Sequence, residues 1–122
     1  GISNAEQFSR AFSAADLTII SGLALGIDAA AHRGGLDAAG STIAVLGTGA
    51  DIFYPQRNRA LGERIAREGL VVSEFPLGTP PHAGNFPRRN RVISGLARGC
   101  LVVEAALASG SLTRSFYDPR SR

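Results

Sequence analysis

Apolar positions follow two rhythms along the chain. In residues 1–16 they recur at helical spacing, with Ala5, Phe8, Phe12 and Ala15 on one face and Ser3 and Glu6 at the spacing of a capping box. The short apolar run Leu17–Ile20 then reads as a strand, closed by Ser21-Gly22. Asp28 is placed to cap a second helix through Ala39, with Gly40 as its stop. Gly34 and Gly35 inside that helix weaken it by about 1 kcal/mol each relative to alanine. Ile43–Leu46 is a second strand, ending in Gly47-Thr48-Gly49. A third helix starts after Pro55, buries Leu61 and Ile65, turns Arg57, Arg59, Arg64 and Arg67 to solvent and stops at Gly69. Leu70–Ser73 is a third strand. A proline-rich stretch from Phe75 to Pro87 leads to a fourth helix, spaced by Val92, Ile93, Leu96 and Ala97 and ended by Gly99. Leu101–Glu104 reads as strand four, and Ser109–Ser111 as the start of a fifth helix.

Each strand is a continuous apolar run rather than an alternating one, which means that both of its faces are covered. Strands alternating with helices through short connections predict an α/β fold: doubly wound and Rossmann-like, its mainly parallel sheet flanked by helices on both faces. In such a fold ligands sit at the carboxyl ends of the strands. Those ends read SGLALGID, GTGADIFYP, SEFPLGTPP and EAALASGSL, all rich in small residues that let a ligand approach the backbone.

Composition narrows the chemistry. At 122 residues and 44% hydrophobic, the chain is one domain at most, large enough for a real core. No apolar run is long enough to span a bilayer and no leader pattern is visible, so a cytoplasmic protein without membrane contact is expected. The one cysteine, Cys100, opens the run CLVVE and is expected in a buried strand; with two histidines, no metal cluster is expected. All 13 basic residues are arginine, the better group for forked contacts to phosphate. Their distribution matters more than their number: residues 1–56 carry a net charge of −3, residues 57–98 +5 and the rest +1. One part of the molecule is electropositive, which suits a polyanionic partner.

That charge peaks in NFPRRNRVISGLARG, residues 85–99, where Arg88, Arg89, Arg91 and Arg98 stand beside Phe86 without an acidic residue. Cations in the first turn oppose the helix dipole, an arrangement that makes sense if an anion normally sits there; the plainer reading is a solvated arginine face. Gly47-Thr48-Gly49 resembles a phosphate-cradling turn, but position 52 is Ile where a third glycine belongs and no P-loop lysine follows, so no dinucleotide cofactor is expected. Asp28, Glu74 and Glu104 lie near strand ends, either as an acid–base pair or as helix caps and arginine partners. His32 sits within a helix and His82 in a loop, neither beside a nucleophile. Tyr54 and Phe86 offer either stacking faces to unpaired bases or a lid over the core.

Three segments, SGLALGIDAAAHRGGL (21–36), TIAVLGTGADIFYPQRNRAL (42–61) and SEFPLGTPPHAGNFPRRNRVISGLARGCLVVEAALASGSL (73–112), resemble the bacterial DNA-processing protein A family, DprA/Smf. The resemblance runs from Gly1 to Leu112 and implies a Rossmann-like domain, usually a homodimer, that binds single-stranded DNA without cutting it. It further implies protection of incoming strands during natural transformation and help in loading the recombinase RecA on them, with no cofactor. By motif, the implied contact residues are Ser21, Gly22 and Gly26 at the first strand end, and Gly47, Thr48 and Gly49 at the second. Phe86, Arg89, Asn90, Arg91 and Ser94 match FPxRNRxxSG, and Ser109, Gly110 and Ser111 match an SGS turn. Arg57, inside the YPxxN motif, and Arg59, just after it, are at positions where family members often carry basic residues.

The chain departs from the family pattern at both ends. The family domain begins with a strand ending in Gly-Ser-Arg, before the position of Gly1, and continues beyond Leu112 to a strand resembling VFAVPG, where this chain reads TRSFYDPRSR. The expectation is a partial domain over residues 1–113, its sheet incomplete at both ends, with a divergent, disordered tail over 114–122; an inactive fragment is one reading of it. The competing reading is a hydrolase similar to the nucleoside-monophosphate phosphoribohydrolases. Their PGGxGTxxE motif is replaced here by VVEAALASGSLT, without the double glycine and with Phe116 where the glutamate belongs.

Overall fold

A computed structural model describes residues 1–99. Its elements run α1 (Ile2–Ala14), β1 (Ile19–Ser21), α2 (Ile27–Leu36), β2 (Thr42–Leu46), a 3-10 turn (Gln56–Asn58), α3 (Arg59–Glu68), β3 (Leu70–Ser73) and α4 (Asn85–Leu96). The described strands form one parallel sheet in the order β1-β2-β3, with Ile20, Ile43 and Leu70 in one row and Ser21, Ala44 and Val71 in the next. Parallel neighbours need crossover connections, and α2 and α3 supply them. Right-handed crossovers that advance in one direction leave α2 and α3 on the same face. There Leu23, Ala44, Leu46 and Ile65 make the core, flanked by Leu36, Phe53, Leu61 and Val71. Val45 points to the other face by strand alternation, is just as buried, and α4 packs against β2 and β1. This is the Rossmann-like α/β arrangement that the apolar strands predict. Cys100, the strand Leu101–Glu104, the turn Ser109–Ser111 and the tail 114–122 lie outside the described residues.

Several local expectations are corrected. Helix α1 begins at Ile2 after Gly1, with no side-chain cap, so Ser3 and Glu6 form no capping box. Its buried face is Ala5, Ser9 and Ser13, whereas Phe8 and Phe12 are exposed. The reason lies in α2: a Cβ at Gly34 would stand 2.3 Å from the Glu6 carbonyl oxygen and 2.8 Å from Ser9 Cβ. The two helices touch backbone to backbone, and only small side chains fit the seam. Gly34, unfavourable for an isolated helix, is what allows this packing. Ser13 completes the seam, its hydroxyl donating to the Gly35 carbonyl at 2.7 Å and accepting the Ser41 amide at 3.1 Å.

Strand β1 starts two residues later than the apolar run suggests, leaving Leu17 exposed, and α2 ends at Leu36 rather than Ala39. Helix α4 starts at Asn85, two residues before Pro87. A first-turn amide has no intrahelical acceptor, so proline is tolerated there. The helix ends at Leu96, where Ala97 turns extended.

Candidate nucleic-acid interface

Helix α4 packs against β2 and β1, and its Arg91 and Arg88 reach Glu74 and Phe75 just past β3. Its Arg89 is only 5% exposed. One guanidinium nitrogen donates to the Gly22 carbonyl after β1 at 2.6 Å and to the Val45 carbonyl in β2 at 3.0 Å. Its Nε donates to Asn90 Oδ1 at 3.1 Å, and the group lies 5.5 Å from the centre of the Phe86 ring. Phe86 in turn sits on Gly47, where a Cβ would come within 2.8 Å of the ring. A Cβ at Gly22 would come within 2.4 Å of the Arg89 guanidinium. Both glycines are therefore filled from within by α4 side chains, rather than being bare turns open to a ligand.

The rest of the first glycine loop is also engaged internally. Asp28 is not the cap of α2, a position held by Gly26 at φ 79°, a left-handed conformation that suits glycine. Its carboxylate instead accepts the amides of Gly22 and Ala24 at 3.2 and 3.3 Å. The Leu23 amide donates to His32 Nε2 at 3.2 Å, and His32 Nδ1 lies 2.7 Å from the Thr42 hydroxyl, which donates to the Ile19 carbonyl. With Nε2 accepting, the ring carries its proton on Nδ1. Burial pulls the His32 pKa from 6.5 to about 4; Asp28 opposes that shift and Arg89 adds to it. Asn58, for which the sequence reading had no role, is buried and donates to the carbonyls of Leu23 and Ala24. The available signal was its place in YPxxN, a polar side chain in a short turn.

The second glycine turn is just as tightly tied. Thr48 is buried and its hydroxyl donates to the Ile52 and Gly49 carbonyls. The Gly49 amide donates to Thr79, and a Cβ at Gly49 would meet the Pro76 carbonyl oxygen at 2.6 Å. Ser21 is buried at the end of β1, and Ser94 is half-buried on α4.

Outward from this layer lies a different set of groups. Tyr54 is 47% exposed and its ring centre is 5.6 Å from that of Phe86. Arg88 lies over the Phe75 ring at 5.6 Å, and Arg91 pairs with Glu74 at 2.8 Å. Asp28 and Glu74 thus take the plainer roles open to them, holding a loop and an arginine; Glu104 lies outside the described residues. Beyond Tyr54, a groove of about 440 Å³ runs between the segment 51–54 and Gln56, Arg59 and Glu63. Arg59 there pairs with Glu63 at 3.2 Å, and Arg57 is exposed nearby in the chain. Ser109, Gly110 and Ser111 lie outside the described residues.

A sequence model of the DNA recombination-mediator protein A family matches residues 1–116. The chain belongs to that family. It is 54% identical over 111 residues to Protein Smf of Synechocystis, covering 91% of this chain and 28% of the relative. It is 53% identical over 97 residues to DNA processing protein DprA of Streptococcus pneumoniae, covering 80% and 34%. The chain thus spans about a third or less of these relatives. Among solved structures it superposes on the S. pneumoniae DprA crystal structure with a TM-score of 0.82 at 45% identity, covering 93% of this chain and 40% of that one. It also superposes on Helicobacter pylori DprA, described by its single-stranded DNA binding mode, with a TM-score of 0.86 at 30% identity, covering 93% and 51%. The α/β fold of this chain is therefore shared with these two solved structures. Among the described residues no helix is long and apolar enough to cross a membrane.

Proposed function

We propose that this region binds single-stranded DNA without cleaving it, along the rim where α4 crosses the strand ends. The observation that carries the reading is the side-by-side placement of the Tyr54–Phe86 ring pair and the outward arginines of α4. Stacking on aromatic faces tolerates any base, and guanidinium groups hold phosphates without reading sequence. The Arg91–Glu74 pair does not block this role. Arg91 is 65% exposed, and exposed pairs are worth only about 0–1 kcal/mol, so a strand of phosphates can displace the carboxylate. The likeness to H. pylori DprA supports the same ligand.

The first test is a titration of the full chain with single- and double-stranded oligonucleotides at several salt concentrations. Tighter single-strand binding with a negative slope of log affinity on log salt is expected, about −0.7 per phosphate contact. Replacing Arg88 and Arg91 together by alanine should weaken binding to every sequence and flatten that slope by about 1.4. A salt response identical to wild type removes these arginines from the interface. From family membership we also propose that the parent protein protects incoming DNA in transformation, loads a RecA-type recombinase on it and acts as a homodimer. Ultracentrifugation with and without recombinase tests the last two.

A further inference from the structure

We infer that Arg89 is a positioning residue, holding Phe86 in the orientation in which its ring meets a base rather than touching the nucleic acid itself. The inference rests on the single-strand reading above and deepens it. Arg89 and Phe86 are three residues apart on α4 and so share one helix face. Each enters the space above one glycine, Arg89 at Gly22 and Phe86 at Gly47. The guanidinium is anchored to two carbonyls, Gly22 just past β1 and Val45 in β2, and its Cζ lies over the Phe86 ring, 5.5 Å from the ring centre. Tyr54 bounds the ring from another side at 5.6 Å. With its contacts inward and 5% of its surface exposed, Arg89 is badly placed to reach a phosphate. It is well placed to hold the aromatic edge to β1 and β2. A guanidinium suits this task because it cannot lose its proton, offers several donors in one plane and stacks on rings. Lysine keeps the charge but loses the fork and the flat face.

The test compares a normal oligonucleotide with an abasic one of the same length, which keeps every phosphate and has nothing to stack. Arg89→Lys should weaken binding to the normal strand roughly tenfold, the scale of a lost base–aromatic stack, and leave abasic affinity within about twofold. Gly22→Ala, which intrudes on the guanidinium and removes no group from the rim, should produce the same selective loss. In a Phe86→Leu background the Arg89→Lys loss should vanish, because the two side chains act through one contact. Equal losses on both strands mean that Arg89 touches phosphate or serves the fold alone, and overturn the inference. So does a normal affinity in Arg89→Lys, or failure of both Arg89→Lys and Gly22→Ala to fold. Wild-type protein that binds neither strand overturns the single-strand reading, and the inference with it. Wild-type binding with only the selectivity missing overturns the inference alone.

Discussion

Acidification should loosen this fold through His32, and the amount can be worked out. The ring is fully buried; its Nε2 accepts the Leu23 amide and its Nδ1 proton faces Thr42. A second proton would have to enter at Nε2, against the amide that already points there. Burial is the main reason that the pKa falls to about 4 from 6.5, with Arg89 adding to it and Asp28 opposing. The unfolded chain therefore takes up the proton first as pH falls. The native state loses stability from about pH 6.5 down to about pH 4, and His32 makes no difference above that window. Linkage from these two values puts the loss between pH 8 and pH 5 at about 2 kcal/mol, rising to about 3 kcal/mol at lower pH. Urea unfolding followed by circular dichroism at pH 8, 7, 6 and 5 measures it. His32→Gln is the control, since its amide can both accept from Leu23 and donate to Thr42, while other titrating groups stay in place. Wild type should lose about 2 kcal/mol more than the variant over that range. Parallel curves for the two proteins, or a His32 titration by NMR with its midpoint above pH 6, refute the reasoning.

Glu74→Gln should tighten single-strand binding a few-fold at low salt by releasing Arg91 from its carboxylate at 2.8 Å, with the gain shrinking as salt screens the charge; unchanged or weaker binding would exclude Arg91 from the interface. Gly34→Ala improves intrinsic helix propensity by about 1 kcal/mol, yet it should destabilise by about 1–3 kcal/mol, because its methyl meets the α1 backbone at 2.3 Å. A higher urea midpoint than wild type would show that α1 and α2 are not in such close contact.

The sheet and its order of elements were legible because they rest on local periodicity. Leu70–Ser73 and the amphipathic stretch after Pro55 appear in the structure where the apolar spacing places them, and the continuous apolar run of β2 is covered on both faces. The concentration of arginine before Gly99 was legible too, and topology carries it to the strand ends. Helix boundaries were less legible: Ser3 and Asp28 have the chemistry of caps, but Asp28 found two loop amides that only the fold brings within reach.

Composition and periodicity alone determined that this chain makes a parallel α/β sheet with an electropositive, aromatic-bearing edge. Tertiary structure decided which arginine turns inward. Arg88, Arg89 and Arg91 are near neighbours in sequence, and successive helix residues are about 100° apart around the axis, so the docking angle of α4 alone puts Arg89 under the rim and the others on it. The same holds for Gly22, Gly34 and Gly47, whose purpose is visible only once Arg89, the α1 backbone and Phe86 lie against them. A glycine in sequence records that space is needed, but what fills the space comes from residues far away in the chain.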